Sequence, residues 1–460
     1  MVRLLHVYFP GRTLILALSD GLLCATALVA ATYVWFGSDA DLELRYEHGI
    51  LRILFASLVC VLCMYFNDLY DSLAVQGSRQ VVTRLIRVLG AACIALAVIY
   101  YAWPAVQISR GPLMVWVFLA GLSLLAWRKI FVSVSVSTQL TSRVILLGDG
   151  PLAKPLAGEI ANRPECGLNL VGYVTRDGAG VDHPPGLAWL GTVEDLPEVV
   201  RREDISCVIV SMGERRGRLP VEELLSLKTH GVLIKDAPDL YEALTGKVPV
   251  SSLNLGWLLF SEGFRISPIT LFYKRAASLA LSILGLAITL PIMALISIAI
   301  RLDSRGPAIY RQKRVGKDGR IFTLFKFRSM RLDADPDRAA QENDNRVTRV
   351  GRWLRQYRLD ELPQLFNILR GDMCFVGPRP CIVSEERRWT REIPFYGQRL
   401  TVKPGITGWA QVRNGYCSTH QDNLEKLGHD LYYVKNISPG LDLLILLHTV
   451  KILLLHRGAR

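Results

Sequence analysis

Two adjacent carboxylates, Asp360 and Glu361, stand between a strongly basic approach and a Pro-Arg-Pro turn, within the segment from Arg355 to Pro380. The spacing predicts a short helix. Asp360 is a good N-cap, Pro363 fits a first turn where no N–H is needed, and Gly371 stops the helix. Leu362, Leu365, Phe366 and Leu369 are its expected buried stripe. A helix start gathers free N–H groups and the positive end of the dipole, which suits phosphate. On this pattern alone Asp360 is either a plain cap or a reacting group. Adjacent carboxylates on a helix point about 100° apart, so they serve one site in different roles, as a nucleophile and as a metal or proton ligand. A carboxylate that attacks phosphorus gives an acyl phosphate and splits a difficult transfer into two steps. Mg²⁺ is the expected ion at Asp360 and Glu361, bridging carboxylate and phosphate oxygens.

Cations crowd the approach: Arg311, Lys313, Arg314, Lys317, Arg320, Lys326, Arg328, Arg331, Arg346, Arg349, Arg352, Arg355 and Arg358. Gly306, Gly316 and Gly319 break the run into turns, so it is not one amphipathic helix. Most of these side chains are expected in solvent or at lipid headgroups, and the remainder suggest a polyanion, most economically a diphosphate. Lys326 and Arg328 alternate on an expected strand and so aim at one face. Arg379, between Pro378 and Pro380, is expected to be a stiff anion clamp.

The elements that must position these groups are partly membranous. Of 460 residues half are apolar, and Lys plus Arg outnumber Asp plus Glu by 54 to 41, a formal +13. The mean hydropathy of +0.27 is high for a soluble enzyme. A basic excess on such a chain points to anionic lipid and cytoplasmic loops, and no interleaved aromatic and basic motif supports nucleic acid. The nine cysteines lie scattered or inside apolar runs, including Cys60-Val-Leu-Cys63, and read as core residues with no disulfide framework or metal site. No cleavable signal peptide is expected.

The expected architecture is a membrane protein of mixed α and α/β class in three parts. Residues 1–135 form a four-helix transmembrane module, with apolar segments near 13–36, 50–66, 85–106 and 111–131. Arg3, Arg12, Arg79, Arg84, Arg87, Arg128, Lys129 and Arg143 flank these segments on one side, and Asp39, Asp41, Glu43 and Glu47 on the other. The pattern sets the N-terminus and everything after residue 131 in the cytoplasm. Residues 141–262 form a Rossmann-like α/β domain, with strands at Val144–Leu147, Leu170–Val174, Cys207–Val210 and Val232–Ile234. Its Gly148-Asp-Gly-Pro-Leu-Ala153 turn matches G-x-G-x-x-A, but Asp149 and Pro151 reduce the free donors and Asp177 lies late for a ribose contact. A bound nucleotide and a purely structural or regulatory role both stay open there. Residues 264–460 form the catalytic domain. Its apolar run at about 276–300 has Lys274 and Arg275 before it, Arg301 and Arg305 after it, and Pro291 past its midpoint. At 25 residues the run is long enough to span, but that combination favours a re-entrant helix that enters the bilayer, bends and returns to the same face. The apolar tail 441–455 is expected in the core or along the membrane interface.

From Lys274 onward a series of motifs resembles the monotopic polyprenyl-phosphate phosphoglycosyltransferases, bacterial sugar transferases, in their large form. The series runs Lys274-Arg275, Gly306-Pro-Ala-Ile-Tyr-Arg-Gln312, Arg314-Val-Gly316, Lys326-Phe-Arg-Ser-Met330 and Asp360-Glu-Leu-Pro-Gln-Leu365. It continues with Gly371-Asp-Met373, Gly377-Pro-Arg-Pro380, Lys403-Pro-Gly-Ile-Thr-Gly-Trp-Ala-Gln411 and Asp430-Leu-Tyr-Tyr-Val-Lys-Asn436. The segment from His6 to Arg12 loosely resembles the exosortase-associated exopolysaccharide branch. The resemblance implies that Asp360 attacks the β-phosphate of a UDP-sugar and releases UMP. It implies that polyprenyl (undecaprenyl) phosphate then takes the sugar phosphate, a first membrane step of exopolysaccharide synthesis. Glu361 would help bind Mg²⁺ or position the acceptor, and Arg355 and Arg379 would contact phosphate beside Arg314, Lys326 and Arg328. The chain departs from the family pattern at Ser278, where Asp is usual, and at Leu290, where Ser often precedes the proline. The implied setting is the bacterial inner membrane, with lipid and the two substrates as partners. Homo-oligomerisation, lipid length and the sugar are left open. Polytopic nucleotide-sugar dehydratases share the outline but need a Tyr-x-x-x-Lys pair that is absent here. A membrane-tethered nucleotide sensor would leave the motifs of residues 301–380 without a role.

Overall fold

The computed structural model describes residues 2–4, 7–45, 48–70, 78–136, 141–176, 178, 186–213, 218–250, 261, 263–264, 266–331, 346–414 and 419–455. Asp177 and His6 lie outside them. The chain divides into two compact units, one mainly Phe9–Leu240 and the other mainly Tyr241–Arg460. The second unit therefore begins ahead of the expected boundary at 262–264. The reason is a buried tie: Glu242 accepts from Lys435 Nζ at 2.7 Å and from Asn436 Nδ2 at 2.9 Å.

In the first unit, long and mainly apolar stretches give four long helices: α1 (Gly11–Phe36), α2 (Gly49–Phe66), α3 (Ser78–Ala102) and α4 (Arg110–Val136). With one helix of the second unit, these are five helices long and apolar enough to cross a membrane, so the chain is a multi-pass membrane protein. Arg84, Arg87 and Arg128 are not loop charges as expected but lie on helices. Arg128 is buried, donating to Asp20 at 2.7 Å and to the Leu69 carbonyl at 2.7 Å. A helix continues past its apolar run when a partner stabilises the charge.

The α/β part follows as β1 (Ser142–Leu147), α5 (Ala153–Ala161), β2 (Leu168–Thr175), β3 (Ala188–Thr192), α6 (Leu196–Arg202), β4 (Cys207–Val210), α7 (Val221–Thr229) and β5 (Leu233–Asp236), after which comes α8 (Ala237–Thr245). Its five strands run parallel in the order β3-β2-β1-β4-β5. The Rossmann-like expectation thus acquires an edge strand, β3, in which the exposed Trp189 and the buried Gly191 hide the strand signal. The Gly148–Gly150 turn packs on the end of β4. A Cβ at Gly150 would lie 2.5 Å from the Ser211 carbonyl, and the Gly150 N–H donates to that carbonyl at 2.7 Å. Close packing accounts for these glycines, and one N–H that a pyrophosphate would use is already engaged.

The second unit is built around α9 (Pro268–Asp303), a single helix of 36 residues through Pro291. Lys274, Ser278, Ser282, Met293, Ile296 and Ile300 are buried along one stripe at helical spacing, while Ile283, Leu284, Ile288, Leu290, Leu295 and Ile298 face outward. Around it stand the hairpin β6 (Ile309–Val315) and β7 (Ile321–Phe327), then α10 (Arg349–Gln356), α11 (Gln364–Arg370) and β8 (Cys374–Val376). The remainder is α12 (Val383–Glu392), β9 (Gly405–Thr407), α13 (Trp409–Arg413), α14 (His420–Lys435) and α15 (Pro439–Leu454). Because α9 starts at Pro268, Lys274 and Arg275 lie on the helix and do not flank it. Arg275 caps α11 through the carbonyls of Ile368 (2.7 Å) and Leu369 (3.0 Å). Lys274 donates to Asp442 of α15 at 2.6 Å and to Tyr433 of α14. The apolar tail has one face in the core, at Leu441 and Ile445, and one outside, at Leu443 and Leu454. Lys274→Met leaves Asp442 buried without its cation and is predicted to destabilise the unit by about 3–5 kcal/mol, read as a lowered thermal midpoint of the purified protein in detergent.

Candidate active site

The carboxylate pair is set by a 3₁₀ turn, Leu359–Glu361, and not by the N-cap of a longer helix. Arg358 before it is left-handed (φ 53°), and Pro363 occupies the N-cap of α11. In a 3₁₀ turn residues i and i+3 eclipse, so Leu359 and Leu362 point the same way. Both pack on the core of Met293, Ile296, Ile300, Phe327 and Leu354. Asp360 and Glu361 are thereby turned to the other side. The expected stripe of α11 shifts accordingly: Gln364, Leu365, Asn367 and Ile368 are buried, whereas Phe366 is exposed. Gly371 ends the helix at φ 89°, as expected.

Asn367, which sequence reasoning passed over, aligns this turn with the hairpin. Its Nδ2 donates to the Thr323 carbonyl at 2.7 Å and its Oδ1 accepts from the Phe325 N–H at 3.0 Å. Fully buried and doubly bonded, it fixes α11 against β7 and so brings Lys326 to Glu361. The signal in the sequence was a polar residue inside an apolar stripe. Ser282 of α9 adds a bond to the Leu365 carbonyl at 2.9 Å, and Ser278, the departure from the family pattern, accepts from Phe375 N–H of β8 at 3.2 Å.

The structure brings Arg314, Lys326 and Arg379 to one polar cleft, lined also by Leu324, Gln364, Pro380 and Gly405. Glu361 Oε1 accepts from Arg379 Nη2 at 2.9 Å and lies 3.3 Å from Lys326 Nζ. Burial would raise the Glu361 carboxyl, but Arg379 and Lys326 outweigh it and hold it well below the usual carboxylate range. Asp360 behaves oppositely. Burial, reinforced by the Glu361 charge, lifts its carboxyl above the ordinary value despite Lys326, Arg355 and Arg379 nearby. Its oxygens make no hydrogen bond among the described residues. Arg355 is held by Ser329 Oγ at 2.9 Å, and Arg314 by Gln312 and the Pro380 carbonyl. Arg328 does not join them. Strand β7 ends at Phe327, and the buried Arg328 guanidinium caps α9 through the Ser304 (2.7 Å) and Arg305 (2.9 Å) carbonyls.

The Pro-Arg-Pro segment is held by more than its prolines. Val376 O accepts from Lys274 (3.3 Å) and Tyr433 (3.1 Å), Pro378 O from the Gly405 N–H (3.0 Å), and Cys381 O from the Val315 N–H (3.1 Å).

Among the described residues no group of three or more His, Cys, Asp or Glu side chains gathers to cage a metal. Two adjacent carboxylates, one of them unbonded, fit an ion such as Mg²⁺ that keeps waters and shares its shell with substrate phosphates.

Residues 269–456 match the family described as bacterial sugar transferase, and residues 65–219 match one described as CoA-binding domain. A UDP-glucose:undecaprenyl-phosphate glucose-1-phosphate transferase of Xanthomonas campestris pv. campestris is 31% identical over 481 residues, covering 98% of this chain and 96% of that protein. A UDP-N-acetylgalactosamine-undecaprenyl-phosphate N-acetylgalactosaminephosphotransferase of Aeromonas hydrophila is 44% identical over 224 residues, 48% of this chain. The match spans about half, 52%, of that relative. A UDP-glucose:undecaprenyl-phosphate glucose-1-phosphate transferase of Escherichia coli K12 is 34% identical, over 67% of this chain and 66% of its own length. The chain belongs to the bacterial sugar transferase family.

If Asp360 must be ionised to react, activity should fall on the acid side at a pH above the ordinary aspartate value of 3.8. Glu361→Gln removes the neighbouring negative charge and frees Lys326 and Arg379 to face Asp360. Both changes lower the Asp360 pKa, so the acid limb of kcat/KM should move down while the rate falls about 10- to 100-fold.

Proposed function

We propose that the protein transfers a sugar 1-phosphate from a UDP-sugar to polyprenyl phosphate, with Asp360 as nucleophile. The observation that carries the reading is the division of labour in the pair. Glu361 holds the ion pairs with Lys326 and Arg379, while the Asp360 carboxyl, next to the same cations, makes no hydrogen bond among the described residues. A carboxylate so placed sits where an approaching diphosphate meets positive charge.

An Asp360 oxygen attacks the β-phosphorus, the bond to the bridging oxygen breaks, and UMP leaves with that electron pair. A phosphate oxygen of the polyprenyl acceptor then attacks the same phosphorus and displaces the Asp360 carboxylate. Arg314, Lys326 and Arg379 bind the diphosphate in the cleft, and Arg355 adds positive charge beside Asp360. Mg²⁺, held by Asp360 and Glu361, would offset phosphate charge when bound. Arg328 serves the fold in this reading, since its guanidinium is engaged at the end of α9.

The setting is the bacterial inner membrane, with the catalytic unit on the cytoplasmic face and α9 re-entrant. Support comes from packing. Near the start of α9 Lys274 and Arg275 bind the catalytic unit, and at its end Asp303 accepts from the Val350 N–H of α10 at 3.1 Å. A helix of 36 residues has about 54 Å of contour, well beyond a hydrocarbon core of about 30 Å, yet both ends are tied to one body.

Purified protein incubated with polyprenyl phosphate and a panel of UDP-sugars should release UMP. Asp360→Asn should lower that release about 10³-fold or more with the protein still folded, and near-normal turnover would sink the nucleophile. Cysteines placed at Leu271 and Leu302 should both react with an impermeant reagent from the cytoplasmic side only. Labelling of either one from the periplasm would restore a spanning helix.

A further inference from the structure

We propose that Arg399 is a positioning residue for the anion clamp: it fixes Arg379 through the main-chain carbonyl of that residue, and through Arg379 it sets Glu361 beside Asp360. The inference rests on the transferase reading above. Arg399 is 2% exposed and comes from the 3₁₀ stretch Tyr396–Thr401, outside the cleft. Its Nε donates to Asp430 Oδ2 of α14 at 3.1 Å, and its Nη1 lies 3.2 Å from Glu386 Oε2 of α12. Nη1 also meets Cys381 Sγ at 3.0 Å and the Tyr396 hydroxyl at 3.2 Å. Two carboxylates already neutralise this buried cation. Its remaining arm, Nη2, donates to the Arg379 carbonyl.

That contact falls on the clamp residue itself. The flanking carbonyls of Pro378 and Pro380 are held by the Gly405 N–H and by Arg314, so Arg399 closes a row of bonds across the Pro-Arg-Pro segment. A planar guanidinium gripped by α12 and α14 cannot slide, and the carbonyl it holds inherits that rigidity. The Arg379 side chain then reaches Glu361 at 2.9 Å. A displacement of about 1 Å at such a clamp can cost on the order of 10²-fold in rate. Lysine at 399 would keep the charge but could not hold both carboxylates and the carbonyl together.

The test compares Arg399→Lys and Asp430→Asn, each alone and combined with Arg379→Lys, by the rate of UMP release over a range of UDP-sugar concentrations. Arg399→Lys should lower kcat about 10- to 100-fold with a smaller change in KM for the UDP-sugar. In the Arg379→Lys background it should add little further loss, since a residue acting through Arg379 has nothing left to position. Asp430→Asn, which loosens Arg399 while keeping its shape, should give a weaker form of the same signature. It decides the matter if Arg399→Lys does not accumulate as folded protein. Additive losses in the double variants, with no split between kcat and KM and a fall in thermal midpoint, would overturn the inference while the transferase reading stands. Absence of UMP release from the unaltered protein would remove both together.

Discussion

The site depends on two cations converging on a single carboxylate oxygen. Lys326 and Arg379 both bind Glu361 Oε1, one from a strand and the other from a Pro-Arg-Pro turn. Charge that would otherwise collapse onto Asp360 is held one residue away. Among the described residues Asp360 keeps a cationic neighbourhood without a hydrogen-bonded partner. Had Lys326 and Arg379 paired with Asp360 instead, its oxygens would be occupied and Glu361 left buried without a cation.

That arrangement exists because apolar packing aims it. Leu359 and Leu362 eclipse on the 3₁₀ turn and enter the core formed with Met293, Ile296 and Ile300 of α9. The long apolar helix is therefore one wall of the core beneath the carboxylate pair. Its buried stripe runs from Lys274 to Ile300 past Pro291. Several basic residues that a charge-based reading assigns to loops or phosphates serve this packing. Lys274 neutralises Asp442, Arg275 caps α11 and Arg328 caps α9. The orientation rule that relies on such charges loses part of its support here, because these cations are bonded within the unit and are not loop charges.

Legibility differed with the range of the interaction involved. Apolar runs and glycine stops depend on local chemistry, so the four N-terminal helices, most strands of the parallel sheet and the end of α11 at Gly371 could be read directly. The phase of α11 could not, because Asp360 looked like an N-cap and the left-handed Arg358 has no side-chain signature. Strand alternation correctly aimed Lys326 but failed for Arg328, one residue beyond the last ladder pair, Ile309 with Phe327. Asn367 and Arg399 were missed because a buried polar residue becomes informative only once its distant partners are known.

The sequence by itself determined which chemistry is available. An Asp-Glu pair, a basic approach, a stiffened arginine and apolar segments of membrane length are all local facts. Tertiary structure alone decided which carboxylate is paired and which is free, and which cations face the cleft. Those outcomes depend on bonds between residues far apart in the chain, such as Lys326 with Glu361 and Arg399 with the Arg379 carbonyl. Charge and hydropathy record what a residue offers, whereas the burial of Leu359, Leu362 and Asn367 fixes where it is offered.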